Sequence, residues 1–212
     1  KIVPVIAVLF LIFIVLVGII IGKKVKQFMP SNEEQTLDTY FGITSEDEAA
    51  IELNHNLEEE KALIRDGAVY LNYNYVHDYL NDRFYWDANE NILLYTTSAN
   101  VIKASADSKE YYIGRKKDSK PYKIVLLNVD SIYIALDYVA QYTNLTYERF
   151  DSPNRILLQT KWGTIKKAGV KRKTQVRVKA SVKSNILREL TKEDLVTKLE
   201  DGKEWTKVTT ED

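Results

Sequence analysis

The residue types that most often carry chemistry are few and scattered in this chain. His occurs only at positions 55 and 77, and Cys does not occur. The absence of Cys removes disulfides, thiolate metal ligands and Cys nucleophiles together. Asp47, Glu48 and His55 carry metal-ligating groups, but two His on different segments do not supply a typical ligand set. Nucleophile elbows, phosphate-binding loops and nucleophile–His pairs are also absent. The sequence therefore predicts no catalytic residue, no cofactor and no metal site, and leaves enzymatic activity open.

Charge is balanced over the whole chain but unevenly distributed. The 30 basic and 30 acidic residues give a formal net charge of zero. Acidic residues dominate from Ser31 to Asp66, whereas Lys161 to Lys183 contains nine Lys or Arg and no acid. A run of like charge is usually a solvated face, and contact with anionic wall polymer or lipid head groups is the alternative. No nucleic-acid fold signature accompanies the basic run, so nucleic acid is not predicted as a partner.

A long apolar run lies at the N-terminus. Residues Ile2 to Gly22 contain no charged side chain, and as a helix they span about 30 Å, the thickness of a bilayer core. A cleaved signal peptide is the alternative, but its apolar region is usually only about 7–15 residues long. We therefore predict a transmembrane anchor over residues 1–22, with residues 2–22 contacting the lipid bilayer. The Lys residues that follow would favour a cytoplasmic location for the rest of the chain, which conflicts with the location argued below.

The next segment, residues 23–62, is acidic and lacks strict periodicity. Pro30-Ser31-Asn32 interrupts it. Either Thr44-x-x-Asp47 or Ser45-x-x-Glu48 resembles a capping box that opens a short helix at Ala49. We interpret these residues as a linker. The first residue is Lys and the last residues are Thr-Glu-Asp, and we expect both ends to continue in a longer protein.

An internal repeat occupies the middle of the chain. Val69–Thr97 and Ile132–Thr160 share apolar and polar positions: Tyr70 matches Tyr133 at a separation of 63 residues, and Ile92-Leu93-Leu94 matches Ile156-Leu157-Leu158 at 64. Such self-similarity indicates one supersecondary unit used twice. Each copy is typical of a strand, a helical stretch and two further strands around a polar turn. The predicted fold class is α+β, with an internally repeated β-α-β-β domain whose helices pack on an antiparallel sheet.

The repeat carries a family resemblance. The pattern V-Y-L/I, then V-x-x-Y-x-N, then D-x-x-x-N-x-I-L-L-x-T resembles the copper amine oxidase N-terminal-like domain, here over residues 63–165. That domain occurs in extracytoplasmic proteins of Gram-positive bacteria, and the resemblance implies neither copper nor oxidase chemistry. Aromatic residues of the first copy are interpreted mainly as core, with a sugar-stacking face as the alternative; they are Tyr70, Tyr73, Tyr75, Tyr79, Tyr85 and Trp86.

A third region, residues 170–212, has short β runs separated by turns such as Asp201-Gly202. Ala180-Ser181-x-Lys183-Ser184-x-Ile186-Leu187 and Gly202-x-x-Trp205-x-Lys207-Val208 resemble a bacterial SH3 domain. The closing Gly-x-x-Gly-Tyr-Val strand is missing, which predicts a truncated all-β barrel with an open edge. The resemblance implies binding of cell-wall peptide or glycan, with Trp205, Arg177 and Lys183 as candidate contacts. Core packing is the alternative for Trp205.

The combination of regions resembles the N-terminal part of clostridial-type envelope proteins that continue into a glycoside hydrolase family 18 barrel, chitinase-like or N-acetylglucosaminidase-like. The Asp-x-x-Asp-x-Asp-x-Glu motif of that family is absent from these residues. The function expected is a non-catalytic, membrane-anchored region that binds peptidoglycan or another wall glycan and positions a downstream glycan hydrolase. The expected location is the cell membrane, single-pass, with the C-terminal region extracytoplasmic. An extracytoplasmic sensor or protein-interaction module without hydrolase activity is the alternative.

Overall fold

Strand pairing, rather than helix packing, organises the protein. The structure is a computed structural model that describes residues 3–129, 131–163 and 166–210, with the side chains of 3–9 and 27 excepted. The chain forms two compact units: Leu37–Lys166, called the central unit, and Lys1–Thr36 together with Lys167–Asp212, called the terminal unit.

A seven-stranded sheet forms one layer of the central unit. In spatial order its strands are β11 (Thr146–Asp151), β12 (Asn154–Gln159), β1 (Glu48–Leu53), β2 (Asn56–Arg65), β3 (Ala68–Asn72), β10 (Ser131–Ala135) and β9 (Val125–Asn128). Neighbours are antiparallel except β1 and β12, which are parallel. The sheet is therefore mixed, and its one parallel pair joins two strands that are distant in sequence.

The second sheet of the central unit is a meander of consecutive strands. They are β4 (Phe84–Asp87), β5 (Ile92–Thr96), β6 (Val101–Ser105), β7 (Glu110–Ile113) and β8 (Lys116–Ser119), all paired antiparallel. In β6, Ile102 and Ala104 are buried, whereas Val101, Lys103 and Ser105 are exposed. This alternation gives the sheet one face on the core and one face on solvent.

The helices of the central unit are short. They are α2 (Leu37–Phe41), α3 (Tyr73–Tyr75), a π-helical turn that continues it (Val76–Leu80), and α4 (Leu136–Tyr142). The side chain of Asn72 caps α3 by accepting a hydrogen bond from the backbone N–H of Asn74 at 2.8 Å. Leu136, Tyr138 and Val139 of α4 are buried, so this helix contributes an apolar face to the core.

Aromatic rings join the five-stranded sheet to α4, within a core cluster that includes buried residues of both sheets. The ring centroids of Phe84 and Tyr95 lie 4.8 Å apart, those of Tyr95 and Tyr142 4.8 Å, and those of Tyr111 and Tyr138 5.7 Å. These tilted and edge-on geometries are the arrangements that aromatic pairs prefer. Tyr138 is buried, and this burial raises the pKa of its phenol because the ionised form is poorly solvated there.

The junction between β1 and β12 is held by side chains as well as by the strand ladder. The side-chain oxygen of Asn54 accepts hydrogen bonds from the backbone N–H groups of Thr160 at 2.9 Å and Lys161 at 3.0 Å. Asn54 has a φ of 52°, a conformation that Asn tolerates better than most residues. A single Asn thus ends β1, turns the chain and fixes the end of β12.

A buried charge lies beside this junction. Arg155 is 6% exposed; its Nε lies 3.8 Å from Glu52 Oε1, and its guanidinium stacks 4.1 Å from the ring centroid of Phe150. Burial raises the pKa of Glu52, and the attraction of Arg155 lowers it by less. A buried pair of this kind adds little net stability, because the cost of removing both charges from water opposes their attraction.

The terminal unit contains α1 (Val3–Phe28) and five strands. The strands are β13 (Lys166–Gly169), β14 (Thr174–Arg177), β15 (Ile186–Leu190), β16 (Leu195–Asp201) and β17 (Thr206–Thr209). One sheet has the order β13-β16-β17, and β14 pairs with β15 in another. Ile186, Leu190 and Val196 are its buried apolar residues among those described.

The predicted fold class is wrong in its architecture. Strands dominate, the helices of the central unit are too short to form a layer, and the two repeat segments do not build one sheet. The first hairpin, β4–β5, belongs to the five-stranded sheet, and the second, β11–β12, belongs to the seven-stranded sheet. The residue pattern indicates local strands and turns, but it does not specify which strands become neighbours.

The predicted transmembrane helix and partial barrel also need correction. No helix in the described residues is long and apolar enough to cross a membrane, and part of the predicted anchor, residues 2–22, lies outside the described side chains. Residues 170–210 contribute to two separate sheets and not to one partial SH3-like barrel. In the segment interpreted as a linker, residues 48–53 form β1, and β2 begins at residue 56 and continues beyond the segment to residue 65.

Adjacent residues on β4 provide a matched test of the core. Phe84 is 0% exposed and Tyr85 is 59% exposed. Phe84→Ala should lower the free energy of unfolding by about 3–5 kcal/mol, because it removes a buried ring and leaves a cavity. Tyr85→Ala should change it by only about 0.5 kcal/mol. Urea denaturation of both variants checks this, and equal effects would contradict the assigned faces of the sheet.

Candidate ligand-binding face

A single cross-strand row runs over the solvent-exposed face of the five-stranded sheet. Register pairs Tyr85 with Leu94, Leu94 with Lys103, Lys103 with Tyr112, and Tyr112 with Lys117. We call these five residues the outer row. Because directly paired residues point to the same face, the row brings together side chains from all five strands.

The outer row is exposed and aromatic at two positions. Tyr85 is 59% exposed and Tyr112 is 44% exposed. Three strand spacings separate them, which corresponds to about 14 Å across the sheet. Leu94 is partly exposed between them. Two phenol rings on a pleated surface with an apolar side chain between them form a platform for an extended ligand.

The buried residues next to the row hold it in place. On β7, Tyr111 points inward and donates a hydrogen bond from its hydroxyl to Asp118 Oδ2 at 3.0 Å. Asp118 Oδ1 also accepts the backbone N–H of Ser119 at 2.8 Å, and these bonds lower the pKa of that carboxyl. The inward bond thus locks β7 to β8, which fixes the outward directions of Tyr112 and Lys117.

The turn between β4 and β5 has its own support. Asp87 Oδ1 accepts the backbone N–H groups of Asn89 at 2.9 Å and Glu90 at 3.3 Å, and Asn91 has a φ of 52°. This is the side-chain turn that Asp forms readily. It sets the register that places Tyr85 opposite Leu94.

The two Lys of the row differ in their surroundings. Lys117 Nζ forms an ion pair with Glu110 Oε2 at 2.7 Å. Lys103 makes no ion pair and no side-chain hydrogen bond with any residue that the structure describes. The face therefore offers one uncommitted cation between Leu94 and Tyr112.

The described parts of the chain contain no group of three or more His, Cys, Asp or Glu side chains able to hold a metal ion. His77 Nδ1 lies 2.9 Å from Asp78 Oδ1 on the exposed π-helical turn. An open depression of about 630 Å³ is lined by Asp38, Glu46 and Asp151 together with hydroxyl side chains, but these carboxylates do not form such a metal-binding group.

The three contacts predicted from sequence lie in the terminal unit. Arg177, the last residue of β14, donates from Nη1 to the carbonyl oxygens of Ser31 at 2.9 Å and Ser184 at 2.5 Å. Lys183 donates from Nζ to the carbonyl oxygen of Lys26 at 2.9 Å. Trp205 lies in the connection between β16 and β17 and is half-buried. Arg177 and Lys183 thus both contact the N-terminal segment, and Trp205 lies on another hairpin.

The sequence indicated only part of the outer row. Of the aromatic residues considered there, Tyr70 and Tyr75 are buried, whereas Tyr79 and Tyr85 are exposed. Lys103, Tyr112 and Lys117 were missed. The strict alternation over Val101–Ser105 was the available signal, because it places Lys103 on the face opposite Ile102.

Comparison with known proteins gives one match. The family model for the copper amine oxidase N-terminal domain matches residues 52–157, which is half of the 212 residues and includes every residue of the outer row. No curated protein and no solved structure matches the chain.

The name of that family mentions copper, so the question is whether this chain has the side chains that bind copper. Protein copper is bound mainly by imidazole, thiolate and thioether groups. This sequence has two His, no Cys and one Met, and the described residues contain no qualifying cluster. The residues do not fit a copper centre.

The inward Tyr111 predicts a pH dependence of stability. Burial, and then the hydrogen bond to Asp118, raise the pKa of Tyr111 from 10.0 to about 12. Its contribution to stability is therefore complete below pH 10 and is lost as the pH rises from 10 towards 12. Tyr111→Phe should show a smaller loss of stability over that range than wild type. Urea midpoints at pH 8, 10 and 11 measure it, with the exposed neighbour Tyr112→Phe as control. An unchanged slope in Tyr111→Phe would contradict the assignment.

Proposed function

The chain belongs to the copper amine oxidase N-terminal domain family, and from that premise we propose that its central unit is a non-catalytic module that binds cell-wall glycan through the outer row. The observation that carries the proposal is the exposed row of Tyr85, Leu94, Lys103, Tyr112 and Lys117 across five strands.

Ring chemistry supports a glycan as the ligand. A phenol ring has an apolar face and a polar hydroxyl, so it can pack on the C–H face of a sugar ring while its edge hydrogen-bonds. Tyr85 and Tyr112 are separated by about 14 Å across the solvent-exposed face of the sheet. An extended polymer fits such a surface better than a compact small molecule, which would need a concave site.

The wider role proposed is positioning. A module that holds the wall raises the effective concentration of any catalytic domain in the same protein. We propose that the partner domain is a glycan hydrolase of glycoside hydrolase family 18, on the basis of the sequence resemblance. The extracytoplasmic location and the contact of residues 2–22 with the bilayer stay predictions.

A protein-binding role is the second candidate. β9 is the last strand of the seven-stranded sheet. The Val125 carbonyl at its start accepts the N–H of Asp107, and Leu127 beyond that contact is 43% exposed. Exposed edge strands with apolar side chains accept strands of other chains. This surface favours a sensor or interaction module without hydrolase activity.

Alanine substitutions in the row test the proposed function. Tyr85→Ala and Tyr112→Ala should each weaken co-sedimentation with purified peptidoglycan by about fivefold, because each removes about 1 kcal/mol of ring contact. Tyr79→Ala is the matched control, since Tyr79 is also exposed but lies on the π-helical turn outside the row.

Binding that is absent in wild type, or that is lost equally in Tyr79→Ala, would sink the proposal. Specific capture of a membrane protein together with an absence of peptidoglycan binding would support the protein-interaction candidate instead.

Because Lys103 makes no ion pair among the described residues, we expect the face to prefer anionic wall polymers over neutral glycans. Lys103→Gln should weaken binding to an anionic wall polymer at low salt and leave binding to neutral chitin oligosaccharide unchanged, because only the charge is removed. The difference should vanish near 1 M salt, where the screening length is about 3 Å. Titration of both ligands at two salt concentrations measures this, and an equal loss for both would contradict an electrostatic role for Lys103.

A further inference from the structure

A segment near the N-terminus lies along the edge of β15 in the terminal unit. Glu34 forms a parallel bridge with Ile186. The N–H of Ile186 donates to the carbonyl oxygen of Glu33 at 2.8 Å, and the N–H of Gln35 donates to the carbonyl oxygen of Ile186 at 2.9 Å. The N–H of Ser31 donates to the carbonyl oxygen of Val182 at 2.8 Å. Residues 31–35, called the docked segment, therefore extend the β14–β15 pair by one short strand.

Side chains reinforce this backbone pairing. Arg177 Nη1 bridges the carbonyl oxygens of Ser31 and Ser184, and its Nη2 donates to Gln175 Oε1 at 2.5 Å. The guanidinium is thus oriented by β14 and the loop before β15, and it holds the first residue of the docked segment. Lys183 reaches the carbonyl oxygen of Lys26 at the end of α1.

The residue covered by the docked segment is central to the unit. Ile186 is 5% exposed and is one of three buried apolar residues described there. Both of its main-chain polar groups bond to residues 33 and 35. Without the docked segment these groups would lose their partners at a buried position, which is unfavourable for any fold.

Charge also matches the pairing. The docked segment contains Glu33 and Glu34, whereas residues 161–183 contain nine basic residues and no acidic one. The opposite charges are compatible with the docking, which rests on the backbone bonds described above.

We propose that the edge of β15, together with the Arg177 guanidinium, is a strand-acceptor site that residues 31–35 of the same chain occupy reversibly. Strand addition of this kind uses backbone bonds for affinity and a few side chains for register. The site ties the end of α1 to the strands of the terminal unit, and it is independent of glycan binding by the outer row.

Hydrogen exchange on the full chain tests the occupancy. Gln35→Pro removes the N–H that bonds to Ile186, and the amide of Ile186 should then exchange about five- to tenfold faster. Glu34→Pro is the matched control, because the N–H of Glu34 makes none of these bonds and an edge strand tolerates Pro there. Arg177→Ala should act like Gln35→Pro, and Arg172→Ala, a change of an exposed base in the same stretch, should have no effect.

A competing peptide tests the acceptor site itself. A synthetic peptide with the sequence of residues 29–36 should restore slow exchange at Ile186 when added to Gln35→Pro. It should fail to do so when Arg177→Ala is also present. Unchanged exchange at Ile186 in Gln35→Pro would overturn the cis contact. Failure of saturating peptide to restore slow exchange would overturn the acceptor site, and neither result depends on peptidoglycan binding.

Discussion

The parallel pairing of β1 with β12 is the constraint on which the central unit depends. It aligns Ala50 with Arg155 and Leu53 with Leu158, residues that are 105 positions apart in the chain. The β1–β12 pair closes a loop of the chain, and every element between the two strands must fit inside this loop. Asn54 fixes the end of the pair with its side chain, and Arg155 fills the space beside Glu52 and Phe150. A parallel contact between distant segments cannot be made by a hairpin, so the intervening chain has to return through two sheets and α4.

In the five-stranded sheet, inward and outward side chains alternate along each strand, so its two faces have different surroundings. Its inward residues, such as Phe84 and Tyr111, enter the core, and its outward residues form the outer row. A strand shift of one residue would exchange the two faces. The turn at Asp87 and the bond from Tyr111 to Asp118 therefore hold the outer row in place as well as the core. The outer row therefore depends on the packing of the inward face of the same sheet.

The sequence predicted local elements better than their partners. The strand segments around Phe84–Trp86 and Val101–Lys103, and the polar turn after Asp87, agree with β4, β6 and the turn between β4 and β5, since alternation and turn residues act within a few positions. The placement of the two hairpins in different sheets was not predictable, because pairing depends on contacts many residues away. The docked segment was also missed: Ser31–Gln35 has no apolar alternation, and its strand character comes from the edge of β15. The residues of the outer row were recognisable only once the neighbours of β6 were known.

The sequential order of the meander has a kinetic consequence. Strands β4 to β8 are consecutive over residues 84–119, so the sheet forms from contacts of short sequence separation. The seven-stranded sheet must close a loop of more than 100 residues between β1 and β12. Loop closure of that length carries an entropic cost before any long-range contact compensates it. The meander is thus expected to be ordered in the folding transition state and the β1–β12 ladder to form after it. Core substitutions in the meander would then slow folding, and substitutions at the ladder would mainly accelerate unfolding.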